Sequence, residues 1–130
     1  GRWSRYFPNK TDLFVIERRF RIVDKFWVFN RFYGSAGNLG PLQRCALGKL
    51  NGVNLKEMIV QQYGLPITAI EHRLKIAHFD SEVCRHLEVK RGATGMLLEA
   101  VARTGQEAVY FQEFFVPEVD YYLDLPSAYT

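Results

Sequence analysis

What this sequence lacks narrows the field before anything it contains. Its 130 residues include only two cysteines, Cys45 and Cys84, far apart and with no Cys-x-x-Cys pair. Neither a disulfide framework nor a thiol-rich metal site is expected, and a reducing cytoplasm is the natural compartment. No apolar run approaches the roughly 20 residues that a spanning helix needs, and no basic-then-apolar leader opens the chain. The expectation is a soluble protein with no membrane partner. Seventeen Lys and Arg against fourteen Asp and Glu leave a net charge of +3, with no dense basic run. By itself this segment is a poor candidate for nucleic-acid contact. Also missing are a Gly-x-Ser-x-Gly elbow, a Walker loop and a dinucleotide fingerprint, so no cofactor is implied. His72 and His78 are separated by about 20 Å along an extended strand, and Cys84 and His86 point apart on a helix, so no metal is expected either. The chain opens on Gly1 rather than Met, which reads as an excised fragment or a processed tag.

What is present is a strongly apolar chain: 48% hydrophobic and 15% aromatic. At this length it reads as one domain, 1–130, with one core. β-Branched and aromatic residues dominate Leu13 to Val23 and again Phe26 to Tyr33 around Asp24-Lys25, which reads as a hairpin. The Gly-rich stretch "GSAGNLGPLQRCALGKLNG" reads as a loop. In "NLKEMIVQQYGLP", Asn54 caps, Glu57 completes a capping box, apolar residues recur at helical spacing, and Gly64 and Pro66 end the helix. Ile67 to Phe79 alternates as a strand with one wet face. Asp80 caps a short helix reaching Val89, and Met96 to Arg103 and Ala108 to Val116 flank "TGQE" as a second hairpin ended by Pro117. Strand, strand, helix, strand, helix, strand, strand is an α+β pattern, with helices packed on an antiparallel sheet.

The segment "ERRFRIVDKFWVFNRFY" carries the chemistry. Alternation puts Glu17, Arg19 and Arg21 on one face of the first strand. With a two-residue turn, cross-strand partners sum to 49 and place Arg19 opposite Asn30. Two guanidiniums and an amide then share a face, where they meet solvent and Glu17, or hold a carboxylate or phosphate bidentately. Both readings stay open at this level.

With the elements laid out, the chain resembles the UbiC transcription regulator-associated (UTRA) domain, the effector-binding half of HutC-type regulators in the GntR family. The resemblance rests on "ERRFRIVD", "NLKEMIVQQYGLPI", "EHRLKIAHFDSEVCRHLEVKRGATGMLLEAVART" and "AVYFQEFFVP", over about residues 13 to 123. It implies a chorismate lyase-like α+β fold, a homodimer, and a pocket for a small anionic metabolite. It also implies a winged helix-turn-helix domain, N-terminal and absent from this segment, that makes the DNA contact. The paired arginines of the family map to Arg19 and Arg21, a family Glu falls near Asn30, the helix-start Ser falls at Asn54, and contacts on the last hairpin map to Tyr110 and Gln112. "FQEFFVP" is also similar to the end of chorismate lyase, which as an alternative makes Glu113 a catalytic acid releasing pyruvate from chorismate.

Overall fold

A computed structural model describes residues 13–22, 24–35 and 67–119. The elements are β1 (Leu13–Ile22), β2 (Phe26–Ser35), β3 (Ala69–His78), α1 (Ser81–Leu87), β4 (Thr94–Thr104) and β5 (Glu107–Pro117). The strands form one sheet in the order β1-β2-β5-β4-β3, and every pairing is antiparallel. The two hairpins lie where the sequence places them. The helix expected over Asn54 to Tyr63 lies outside the described residues, as does the loop expected before it from residue 36 on; the first two residues of that loop, Gly34 and Ser35, belong to β2 instead.

The β1–β2 register differs by one from the expectation. Ile22 pairs with Phe26, so three residues make the connection; Asp24 takes φ 55, and Lys25 N–H donates to Ile22 O at 2.8 Å. Aspartate tolerates this left-handed conformation better than most residues. Partners therefore sum to 48: Arg18 faces Asn30, Arg19 faces Phe29 and Arg21 faces Trp27. One extra turn residue moves every pairing, because side chains alternate between faces.

α1 packs on one face of the sheet. Asp80 Oδ1 accepts the Val83 N–H at 2.8 Å, and Glu88 at φ 56 closes the other end. Val83, Cys84 and Leu87 are buried against Phe29, Leu97, Phe115 and Phe79. Each of Val83 and Leu87 contributes about 2 kcal/mol through removal from water. Gly95 allows β4 to pass Phe79: a Cβ there would meet Val116 O at 2.3 Å and the Phe79 ring at 2.6 Å. The opposite face carries a second apolar cluster of Phe20, Phe26, Val28, Leu98, Phe114 and Val116. β3, the outer strand of the described sheet, is wet on both faces rather than one, with Leu74 59% and Ile76 73% exposed.

Candidate functional site

The register puts a row of ionisable residues straight across the helix-bearing face. Glu17 faces Arg31, Arg31 faces Glu113, Glu113 faces Glu99, and Glu99 faces Arg73. The neighbouring row, Phe29, Phe115 and Leu97, is apolar and lies under α1. The helix therefore covers one row and leaves its edge beside the charged one. Along that edge a cleft of about 430 Å³ opens, lined by Val15, Glu17, Arg31, Tyr33 and Glu82.

Arg31 is the centre of this cleft. Its Nε donates to Glu17 Oε2 at 3.0 Å, its Nη2 lies 3.3 Å from Glu82 Oε2, and its guanidinium stands over the rings of Phe29 and Phe115 at 5.2 and 5.6 Å. Burial by itself lowers its pKa, but the Glu17 hydrogen bond and the charges of Tyr33, Glu17 and Glu82 outweigh that and raise it above the ordinary arginine value. The side chain is thus a fixed cation touching β1, β2, β5 and α1. Beside it His86 stacks on Phe29 with centroids 4.1 Å apart and rings 6° from parallel, and its Nε2 is 4.0 Å from Glu82 Oε1. Tyr33 Oη donates to the buried carboxylate of Glu113 at 2.8 Å.

The residues singled out from the sequence divide between the two faces. Arg19 and Arg21 stand on the helix-bearing face, both over the Trp27 ring at 4.1 and 5.1 Å. Arg19 Nη1 also donates to Glu88 Oε2 and to His86 O, each at 3.2 Å. Trp27 Nε1 is buried and has no hydrogen-bond acceptor within reach. Glu113 shares this face, buried under Tyr33. Asn30, Tyr110 and Gln112 lie on the opposite face with Arg18, as one buried polar chain. Arg18 Nε and Nη2 donate to Asn30 Oδ1 at 3.2 and 3.0 Å, and Asn30 Nδ2 donates to Gln112 Oε1 at 3.2 Å and to Glu113 O at 3.0 Å. Burial lowers the Arg18 pKa to about 10, leaving it charged at neutral pH, and raises the Tyr110 hydroxyl, against a smaller downward pull from Gln112. The sheet thus separates Arg19 and Arg21 from Asn30, Tyr110 and Gln112. Asn54 lies outside the described residues.

Sequence reasoning passed over Arg31 and Glu82, and weighed His86 only as a metal ligand. Arg31 sits inside an aromatic run, and its pairing with Glu17 emerges only when partners sum to 48. Glu82 reaches the cleft, and His86 stands beside Glu82, through the docking of α1, which local patterns do not encode.

A family model described as the UTRA domain matches residues 7–121. Among solved structures, a GntR-family transcriptional regulator from Enterococcus faecalis V583 superposes with a TM-score of 0.72 at 14% identity, covering 94% of this chain and 88% of that one. The effector binding domain of the trehalose repressor of Bacillus subtilis gives 0.62 at 11% identity over 94% and 88% of the two chains. The C-terminal domain of Yurk from the same species gives 0.69 at 17% identity over 81% and 70%. No curated protein matches the chain. At these identities the structural likeness carries the fold, an antiparallel sheet with a helix packed on it, as the α+β reading anticipates.

Proposed function

Because the chain belongs to the UTRA domain family, we propose that it is the ligand-sensing domain of a GntR-family, HutC-type transcriptional regulator. It binds a small anionic metabolite in the cleft on the helix-bearing face, works as a homodimer in the cytoplasm, and controls DNA contact made by a separate N-terminal domain. The observation that carries this reading is the set of three guanidiniums, Arg19, Arg21 and Arg31, that share one face beside an open cleft. Their acidic partners are exposed: Glu17 by 41%, Glu82 by 49% and Glu88 by 61%. Ion pairs of that kind contribute about 0 to 1 kcal/mol, so an entering carboxylate or phosphate that accepts two N–H bonds exchanges with them at little cost.

The placement also supplies a route to regulation. Arg31 ties the sheet to Glu82 on α1, and an anion that takes its donors weakens that tie, so the bound and free states differ at the helix. Differential affinity for two arrangements is what an effector needs in order to switch anything. Calorimetric titration with small carboxylates and phosphates tests the proposal. Binding is expected, and Arg31→Ala is expected to abolish it while Arg19→Ala weakens it. If Arg19→Ala, Arg21→Ala and Arg31→Ala all leave every detected binding event unaltered, the site is elsewhere. The enzyme alternative is tested by incubating the chain with chorismate: no 4-hydroxybenzoate is expected, and turnover lost in Glu113→Gln would reverse the ranking.

A further inference from the structure

The cleft is not a uniformly basic pocket. Of its charged lining residues, Arg31 is one cation against two carboxylates, Glu17 and Glu82, so an anion that takes Arg31 leaves both acids facing the cleft without a cation unless the ligand itself carries one. The two carboxylates and a ring nitrogen of His86 place one acceptor atom each within 4.8 Å of one another. An alkyl ammonium has three N–H donors on tetrahedral bonds, and donors reaching about 2.8 Å span acceptors about 4.6 Å apart. The three acceptors therefore lie within the span that a primary ammonium can bridge, with His86 Nε2 4.0 Å from Glu82 Oε1. They are held from two sides: His86 is fixed by its stack on Phe29, and Glu17 by its place in the β1–β2 ladder. A bare divalent ion fits less well, because the Arg31 guanidinium lies at 3.0 and 3.3 Å from the two carboxylates that would have to hold it.

Resting on the cleft reading above, the geometry points to an effector that is a short amino acid, with its ammonium on Glu17, Glu82 and His86 and its carboxylate on Arg31. On binding, the guanidinium exchanges the two side-chain carboxylates for the ligand's carboxylate, and the ammonium takes over their charge, so no ionised group is left unpaired. Because Arg31 touches both acids directly, the two charged ends of the ligand sit next to each other. This selects α- and β-amino acids over longer ω-amino acids.

Isothermal titration of this chain tests it, with the twenty protein amino acids and β-alanine, the amine-free acids propionate and butyrate, inorganic phosphate, propylamine, and Mg²⁺, Mn²⁺ or Zn²⁺ alone. At least one amino acid is expected to bind at least tenfold more tightly than its amine-free counterpart. Glu82→Gln is expected to remove that tenfold advantage without weakening propionate binding, since it also takes away a carboxylate that competes for Arg31. Equal binding with and without the amine, retention of the advantage in Glu82→Gln, or a divalent ion outcompeting every amino acid overturns this inference. Amine-free anions binding while no amino acid does would overturn it and leave the anion-sensor reading standing. Silence from every compound would count against both.

Discussion

Glu17 and Arg31 face each other across the β1–β2 ladder, and Arg31 Nε donates to Glu17 Oε2 at 3.0 Å. The second contact of the same guanidinium, 3.3 Å to Glu82, reaches from the sheet to the first turn of α1. One side chain thus joins β1, the interior of the described sheet and α1.

Removing it has a modest effect on stability and a large one on binding. Arg31→Ala loses exposed ion pairs and two cation–π contacts, together about 1 kcal/mol. Urea denaturation is expected to show that decrease with an unchanged slope, alongside loss of ligand binding by calorimetry. Unaltered affinity would remove Arg31 from the site.

Asn30 behaves in the opposite way. Its amide gives Arg18 an acceptor and gives Gln112 Oε1 and Glu113 O a donor, all in a buried setting. Asn30→Ala orphans these groups and is expected to cost about 2 to 4 kcal/mol in chemical denaturation. On the opposite face from the cleft, it should leave affinity of the folded fraction within about twofold. A selective loss of affinity at unchanged stability would make Asn30 a ligand contact after all.

Tyr110 makes stability depend on alkaline pH. Its hydroxyl titrates near 10.0 when unfolded and higher when folded, because burial penalises the phenolate. Above pH 10 the unfolded chain releases a proton that the folded chain retains, so stability falls there by about 1.4 kcal/mol per pH unit from this group. Arg18, lowered by burial, acts in the opposite sense over part of that range. The comparison is therefore between parent and Tyr110→Phe, whose stability at pH 11 should decline less steeply; identical slopes would refute the assignment.

Two positions carry the docking of α1. Gly95→Ala drives a methyl into Val116 O and the Phe79 ring and is expected to lower stability by about 3 kcal/mol. Asp80→Ala removes the Val83 cap at about 1 kcal/mol, and should also weaken ligand binding, since Glu82 and His86 follow on the same helix. Thermal melts and calorimetry on both variants check this.

Much of the fold was legible because local rules agreed with one another. Period-two runs marked the strands, "TGQE" the β4–β5 turn, and Asp80 the start of α1. The site was less so. The left-handed Asp24 goes with one added position in the first turn, which exchanges Arg19 for Arg18 opposite Asn30. That choice depends on turn conformation rather than on composition. The same slip concealed the Glu17–Arg31 pair, and the acids at Glu82 and Glu88 became partners only through packing of distant segments. The two wet faces of β3 were hidden for a related reason: alternation shows that two faces differ, without saying that either is covered.

β3 also has a bearing on how the protein is handled. Among the described residues it is a ten-residue outer strand, with Leu74 and Ile76 exposed and with Glu71, Arg73 and Lys75 interleaved. Such an edge is a template for stacking with other chains, and inserted charges are what keep neighbours apart. Concentrated salt weakens that mutual repulsion, so turbidity is expected to rise with ionic strength, and replacing Lys75 with a neutral residue is expected to bring the threshold down.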